Sequence, residues 1–128
     1  CDNAEALVKP LDRHPKLNSI KYPFPPSHPG YAVAKKQMKR GGGLVTFDIK
    51  GGLESGVKFL DGLQMLTLTS NLGDTRSIAS HPASTTHAKL TPEEQLAVGI
   101  TPGLIRISVG LESIEDIKND ILQALEKC

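Results

Sequence analysis

Hydrophobic and polar positions alternate most cleanly late in the chain. Ile105, Ile107 and Val109 fall on one side of an extended segment and Leu104, Arg106 and Ser108 on the other, the period-two pattern of a strand. Ser113 then caps a helix with Glu115 and Asp116 in its first turn and an apolar stripe of Ile114, Ile117, Ile121, Leu122 and Leu125. If that stripe covers the face of Ile105 and Ile107, Arg106 and Ser108 look out from the opposite face, toward solvent, a ligand or another domain.

The same periodicities organise the rest. From Asn3 to His14, Ala4, Leu7, Val8 and Leu11 recur at helical spacing behind Asp2 or Asn3 as cap, and Pro10 predicts a kink or an early stop. Leu17 to Tyr22 reads as a short strand that runs into a loop at Pro23-Phe24-Pro25-Pro26. Ser27 is placed to cap a helix to about Lys39, with Pro29 in its first turn, which Gly41-Gly42-Gly43 ends. Leu44 to Ile49 alternates as a strand, Leu53 to Leu63 reads as a short helix, and Leu66 and Leu68 mark another strand. Thr91, Pro92 and Glu94 form a capping box for a helix from about Pro92 to Val98. The predicted architecture is α+β: about four mostly antiparallel strands covered by helices on one face.

Composition narrows the partners. At 128 residues, 38% hydrophobic and 23% charged, the chain suits one domain with one core. Fifteen basic against fourteen acidic residues leave a net charge of +1, which offers no reason to propose nucleic acid or a membrane surface. No apolar run approaches the ~18 residues of a membrane span. Cys1 and Cys128 make no disulfide framework, their pairing stays open, and the default compartment is the cytoplasm. The chain begins in helix without an initiator Met, which implies a longer parent.

Candidate chemistry collects between Ser70 and Gly110. Arg106 stands in an otherwise apolar strand, where a guanidinium is costly without an anionic partner. Two readings stay open for it: a surface ion pair, or a fork for a carboxylate or phosphate. Asn71, Leu72 and Gly73 either present groups to a ligand or form an ordinary turn. The string HPASTTH carries His81 and His87, but the histidines are too scattered for zinc, and a structural role is the simpler reading. Gly41 to Gly43 lacks the phosphate-loop arrangement, and Lys35 to Arg40 reads as a solvated helix end.

Taken together, SHPGYAVAKKQM, GGGLVTFDIKGG, SNLGDTRSIASHPASTTH and TPGLIRISVGLESIEDI resemble, in order and over essentially the whole chain, the C-terminal domain of the pyridoxal-phosphate enzymes of cysteine and methionine metabolism. That resemblance implies a small α+β domain packed on a large pyridoxal-phosphate-binding domain that is absent from this chain, within a cytoplasmic homotetramer. It implies that Arg106 binds the α-carboxylate of a small amino-acid substrate, with Asn71 and Thr86 beside it. NLGD with HPASTTH looks like the sulfhydrylases acting on O-acetyl- or O-succinylhomoserine, which exchange the acyl group for sulfide by γ-replacement to give homocysteine. The synthases and lyases more often read SLGG and HPASMTH. The family's Schiff-base lysine stands in a Ser/Thr-rich string that none of this chain's lysines matches; Lys89 comes nearest. The resemblance therefore implies that the chain alone holds no cofactor covalently and catalyses nothing. The same domain of a cystathionine γ-synthase, a cystathionine lyase or a methionine γ-lyase, and a stand-alone non-catalytic α+β module, are the alternatives.

Overall fold

The computed structural model describes all residues, 1–128. Five strands, β1 (Leu17–Lys21), β2 (Leu44–Ile49), β3 (Thr67–Leu68), β4 (Ile78–Ser80) and β5 (Leu104–Ser108), form one sheet in the order β1-β2-β5-β4-β3. The pairs β1–β2, β2–β5 and β4–β5 are antiparallel and β3–β4 is parallel. The sheet is thus mostly antiparallel, as expected, with one strand more than the pattern predicted. The extra strand is β4, three residues long and too short to show a period.

The helices are α1 (Asp2–Leu11), α2 (Tyr31–Gln37), α3 (Gly52–Gly62), α4 (Pro92–Ala97) and α5 (Ile114–Glu126). Pro10 ends α1 early: the helix runs one residue beyond it, and the Asp12 amide closes the last turn on the Val8 carbonyl at 2.8 Å. Helix α2 starts later than the sequence suggests. Ser27 and Pro29 fall in turns, and the His28 ring accepts the Gly30 amide at 3.0 Å, so Gly30 and not Ser27 precedes the first helical residue. The Thr91 capping box is present in full, the Glu94 carboxylate accepting the Thr91 amide at 2.7 Å and the Thr91 hydroxyl accepting the Glu94 amide at 3.3 Å.

One core unites the sheet with α1, α3 and α5. Val45, Phe47, Ile49, Ile105 and Ile107 from the sheet are fully buried with Leu7, Phe59, Ile117, Ile121 and Leu125 from the helices. The Phe47 and Phe59 rings meet edge to face at 5.6 Å. The apolar faces expected for α5 and β5 thus belong to one buried core, which α3 links to both. The opposite face is not bare, because Ala83 and Ile100 pack on Leu104 in a small second cluster.

A buried carboxylate ties α5 to the segment before β3. Asp120 accepts the amides of Gln64, Met65 and Leu66 at 2.7, 2.9 and 2.9 Å, so three main-chain donors that leave α3 without helical partners are met by one side chain. At the other end of the core, Tyr22 is 1% exposed and its hydroxyl donates to the Gly42 carbonyl at 3.0 Å.

Burial, reinforced by the Glu5 carboxylate, pushes the Tyr22 phenol up to about 12 from its ordinary 10.0. A group whose folded pKa exceeds its unfolded one stabilises the fold fully below the unfolded value and loses that contribution as pH rises through the folded value. Urea unfolding is therefore expected to show stability falling between pH 10 and about pH 12. Tyr22→Phe should flatten that fall while lowering neutral-pH stability by about 1 kcal/mol, the value of the lost hydrogen bond.

Candidate functional site

β5 is central, hydrogen-bonded to β2 on one side and β4 on the other, and Arg106 sits at its midpoint opposite Thr46 and Ser80. Ile105 and Ile107 point into the core, so alternation sends Arg106 to the face that α1, α3 and α5 do not cover. There its side chain is half-buried, and Nη2 donates to the Ser70 carbonyl at 3.0 Å and to the Asn71 carbonyl at 3.4 Å.

Neither carbonyl carries a formal charge, and Arg106 forms no ion pair. The chain's ion pairs join Arg40 to Asp2 and Glu5, Lys58 to Glu54, Arg76 to Asp74 and Lys118 to Glu115. A guanidinium has five N–H donors in a fixed plane, and here one nitrogen holds the side chain against a loop while the others have no protein partner.

That loop is tethered along its length. Thr69 donates its amide to the Ala79 carbonyl at 3.0 Å, and the Gly73 amide donates to the Ser108 hydroxyl at 3.2 Å. Ser108 is thus buried beneath the loop and does not face solvent as alternation alone suggests. Asp74 accepts the Arg76 amide and guanidinium, both at 2.9 Å, and the guanidinium holds the Asp74 carboxyl well below the usual carboxylate range. Beyond it, Ser77 accepts the Gly110 amide at 2.9 Å and donates to Glu112 at 2.8 Å, and Asn3 of α1 donates to the carbonyls of Gly110 and Glu112. Burial works to raise the Glu112 carboxyl, but hydrogen bonds from the Ser77 amide, its own amide and the Ser77 hydroxyl together outweigh it and leave the group below its ordinary value. Gly110 is required at this crossing, since a Cβ there would collide with the Arg76–Ser77 backbone.

The three candidate residues are not equally close. Asn71 meets Arg106 through its main chain, and its side chain is exposed. Thr86 is exposed and its hydroxyl bonds Nδ1 of its neighbour His87 at 2.8 Å, so it makes no hydrogen bond to Arg106 or Asn71. The site is thus assembled from β5 and the loop at Ser70–Asn71, with Thr86 outside that hydrogen-bonded group. Ser80 is a neighbour of Arg106 that the sequence pattern does not single out, because β4 itself is invisible there.

His81, the first histidine of HPASTTH, is fully buried. Its Nε2 lies 2.7 Å from the Pro102 carbonyl, which only accepts, so Nε2 carries the proton. Nδ1 lies 2.8 Å from Ser84 Oγ, which leaves no ring nitrogen free. Its role here is to join the turn at Pro82–Ser84 to the approach of β5. A cleft of about 480 Å³ lies between α1 and the Phe24–Pro26 loop and contains none of the three candidate residues; its Arg40 is already paired with Asp2 and Glu5.

A Schiff-base lysine needs a desolvated amine, and the lysines present do not fit that need. Lys89 is exposed, while Lys16, Lys50 and Lys127 donate to main-chain carbonyls and Lys58 and Lys118 to carboxylates. The residues of this chain do not by themselves form a pyridoxal phosphate site.

Over residues 1–126 the chain matches, and belongs to, the family of Cys/Met metabolism PLP-dependent enzymes. It is 49% identical over 127 residues to the L-methionine gamma-lyase of Fusobacterium nucleatum, covering 99% of this chain and 32% of that protein. It is 48% identical over 126 residues to the O-acetyl-L-homoserine sulfhydrylase of Leptospira meyeri, covering 97% of this chain and 28% of that one. Among solved structures, cystathionine gamma synthase from Xanthomonas oryzae pv. oryzae in complex with aminoacrylate and cysteine superposes with a TM-score of 0.91 at 40% identity, covering 98% of this chain and 33% of that chain. The chain spans about a third of the length of the curated relatives it matches.

Close packing makes one position behind the site sensitive. A Cβ on Gly56 of α3 would lie 2.7 Å from His81 Nε2, the nitrogen committed to Pro102. Gly56→Ala is expected to lower stability by about 2 kcal/mol in urea unfolding, the strain of overpacking outweighing the gain in helix propensity.

Proposed function

We propose that this chain is the substrate-carboxylate domain of a homoserine-ester sulfhydrylase, an enzyme that makes homocysteine from O-acetyl- or O-succinylhomoserine and sulfide. The observation that carries the carboxylate role is Arg106: a guanidinium fixed on a central strand, steadied by two neutral carbonyls and left without a counter-ion. Two parallel N–H donors of such a fork match the two oxygens of a carboxylate. The branch rests on NLGD and HPASTTH, together with 48% identity to one O-acetyl-L-homoserine sulfhydrylase.

In this reading Arg106 grips a carboxylate that takes no part in bond making, so its contribution is orientation and binding energy. The main chain at Ser70 and Asn71 limits how far the guanidinium swings, and Asn71 and Thr86 line the approach. Exposed Leu44, which shares the Arg106 face, and exposed Leu72 in the adjoining loop form an apolar margin for the rest of the enzyme to cover. The remainder of the enzyme contributes the pyridoxal phosphate, which serves as electron sink for the substrate α-carbon. The chain alone is inactive in this reading. It acts in the cytoplasm as part of a homotetramer.

A second reading, methionine γ-lyase, is favoured by the 49% identity to the Fusobacterium protein. The two differ in product. Supplied with O-acetylhomoserine and sulfide, the full-length enzyme is expected to form homocysteine faster than it releases methanethiol from methionine; the opposite preference selects the lyase.

Both readings share the carboxylate contact, which a conservative substitution tests. Arg106→Lys in the full-length enzyme is expected to raise KM for the amino-acid substrate about tenfold or more, with kcat changed far less, because lysine keeps the charge and loses the fork. Unchanged kinetics would remove Arg106 from the site.

A further inference from the structure

Ser80 ends β4 directly opposite Arg106 in the ladder, so both side chains leave the same face of the sheet with Cβ atoms about 5 Å apart. Ser80 is only 2% exposed, and its Oγ is the one buried side-chain polar atom in the chain without a hydrogen-bond partner. The other buried polar side chains, Ser77, His81, Ser108 and Asp120, are all matched. On the other flank of Arg106, Thr46 is half-exposed, where water can serve its hydroxyl.

A hydroxyl closed to water and left unpaired destabilises a fold that alanine would suit better. Such local violations are expected where function demands them. The atom beside Ser80 is equally unfinished: Arg106 spends one nitrogen on Ser70 and Asn71 and has donors to spare. An unpaired acceptor thus stands next to unpaired donors.

Resting on the carboxylate reading of Arg106, we propose that Ser80 is a positioning residue for that arginine, its hydroxyl held in reserve for the ligand-bound state. When a carboxylate takes the forked edge of the guanidinium, the plane turns toward it, and Ser80 Oγ accepts an N–H that now faces β4. The hydroxyl fixes the guanidinium in the orientation that binds, and a side chain without an acceptor leaves that orientation unsupported. Ser80 touches neither the reacting atoms nor the cofactor; it acts through Arg106.

The test uses the full-length enzyme with O-acetylhomoserine or methionine, whichever it turns over. Ser80→Ala is expected to raise KM about tenfold, as for loss of a hydrogen bond to a charged group, with kcat within about twofold and a melting temperature no lower than wild type. Ser80→Thr, which keeps an acceptor, should return KM to within about threefold of wild type. In an Arg106→Lys background Ser80→Ala should add little, because the two act as a unit. The proposal is overturned if Ser80→Ala leaves KM unchanged while Arg106→Lys raises it. It is also overturned if Ser80→Ala lowers the melting temperature and damages both constants, the mark of a merely structural hydroxyl. An unchanged KM for Arg106→Lys itself would instead defeat the carboxylate reading, and this inference with it.

Discussion

Everything at the candidate site depends on the alternation along β5. Ile105 and Ile107 are driven into the core that also buries Ile117, Ile121 and Leu125 of α5, and each such fully buried side chain contributes roughly 1.5–3 kcal/mol. With two residues committed inward, the residue between them has no choice of face. A slip of one register would carry Arg106 into a hydrocarbon core, where an unpaired charge is costly, and expose both isoleucines. The same hydrophobic burial that stabilises the domain therefore aims the guanidinium, and β2 and β4 on either side keep the strand from fraying.

Around that fixed strand the polar network secures the loop that Arg106 leans on. Ser108 holds Gly73, Asp74 closes on Arg76, and Ser77 joins Gly110 and Glu112, to which Asn3 of α1 also reaches. The carboxylates involved titrate below their ordinary range, so the tethers stay charged at neutral pH. A guanidinium placed by a strand and steadied by a tethered loop loses little conformational freedom on meeting an anion, which is the general benefit of a preorganised site.

How much of this was legible in the sequence varied with the range of the interaction that decides each feature. β5, α5 and the Thr91 cap are set by local periodicity and by contacts three residues apart, and all three stand where the pattern put them. β4 escaped because three residues cannot display a period and its strand character comes from pairing with β5. The start of α2 was misplaced because a histidine ring, a partner that helix rules do not weigh, takes the Gly30 amide. Asp120 carries no local signal, because its three amide partners are more than fifty positions away. At the site, Arg106 was conspicuous as a charge in an apolar run, whereas Ser80 is an ordinary serine until the register places it beside Arg106.

The position of β5 in the sheet also sets an order of assembly. Its two neighbours, β2 and β4, both precede it in sequence and are not paired with each other, so the β1–β2 and β3–β4 halves cannot be joined into one sheet before residues 104–108 have been made. During synthesis from the N-terminus Phe47 can already meet Phe59 of α3, but the core that both share with α5 is complete only after residues 114–126 follow. The strand that carries the arginine is thus the keystone in time as well as in space, and the face that bears Arg106 exists only once the two halves have been joined through it.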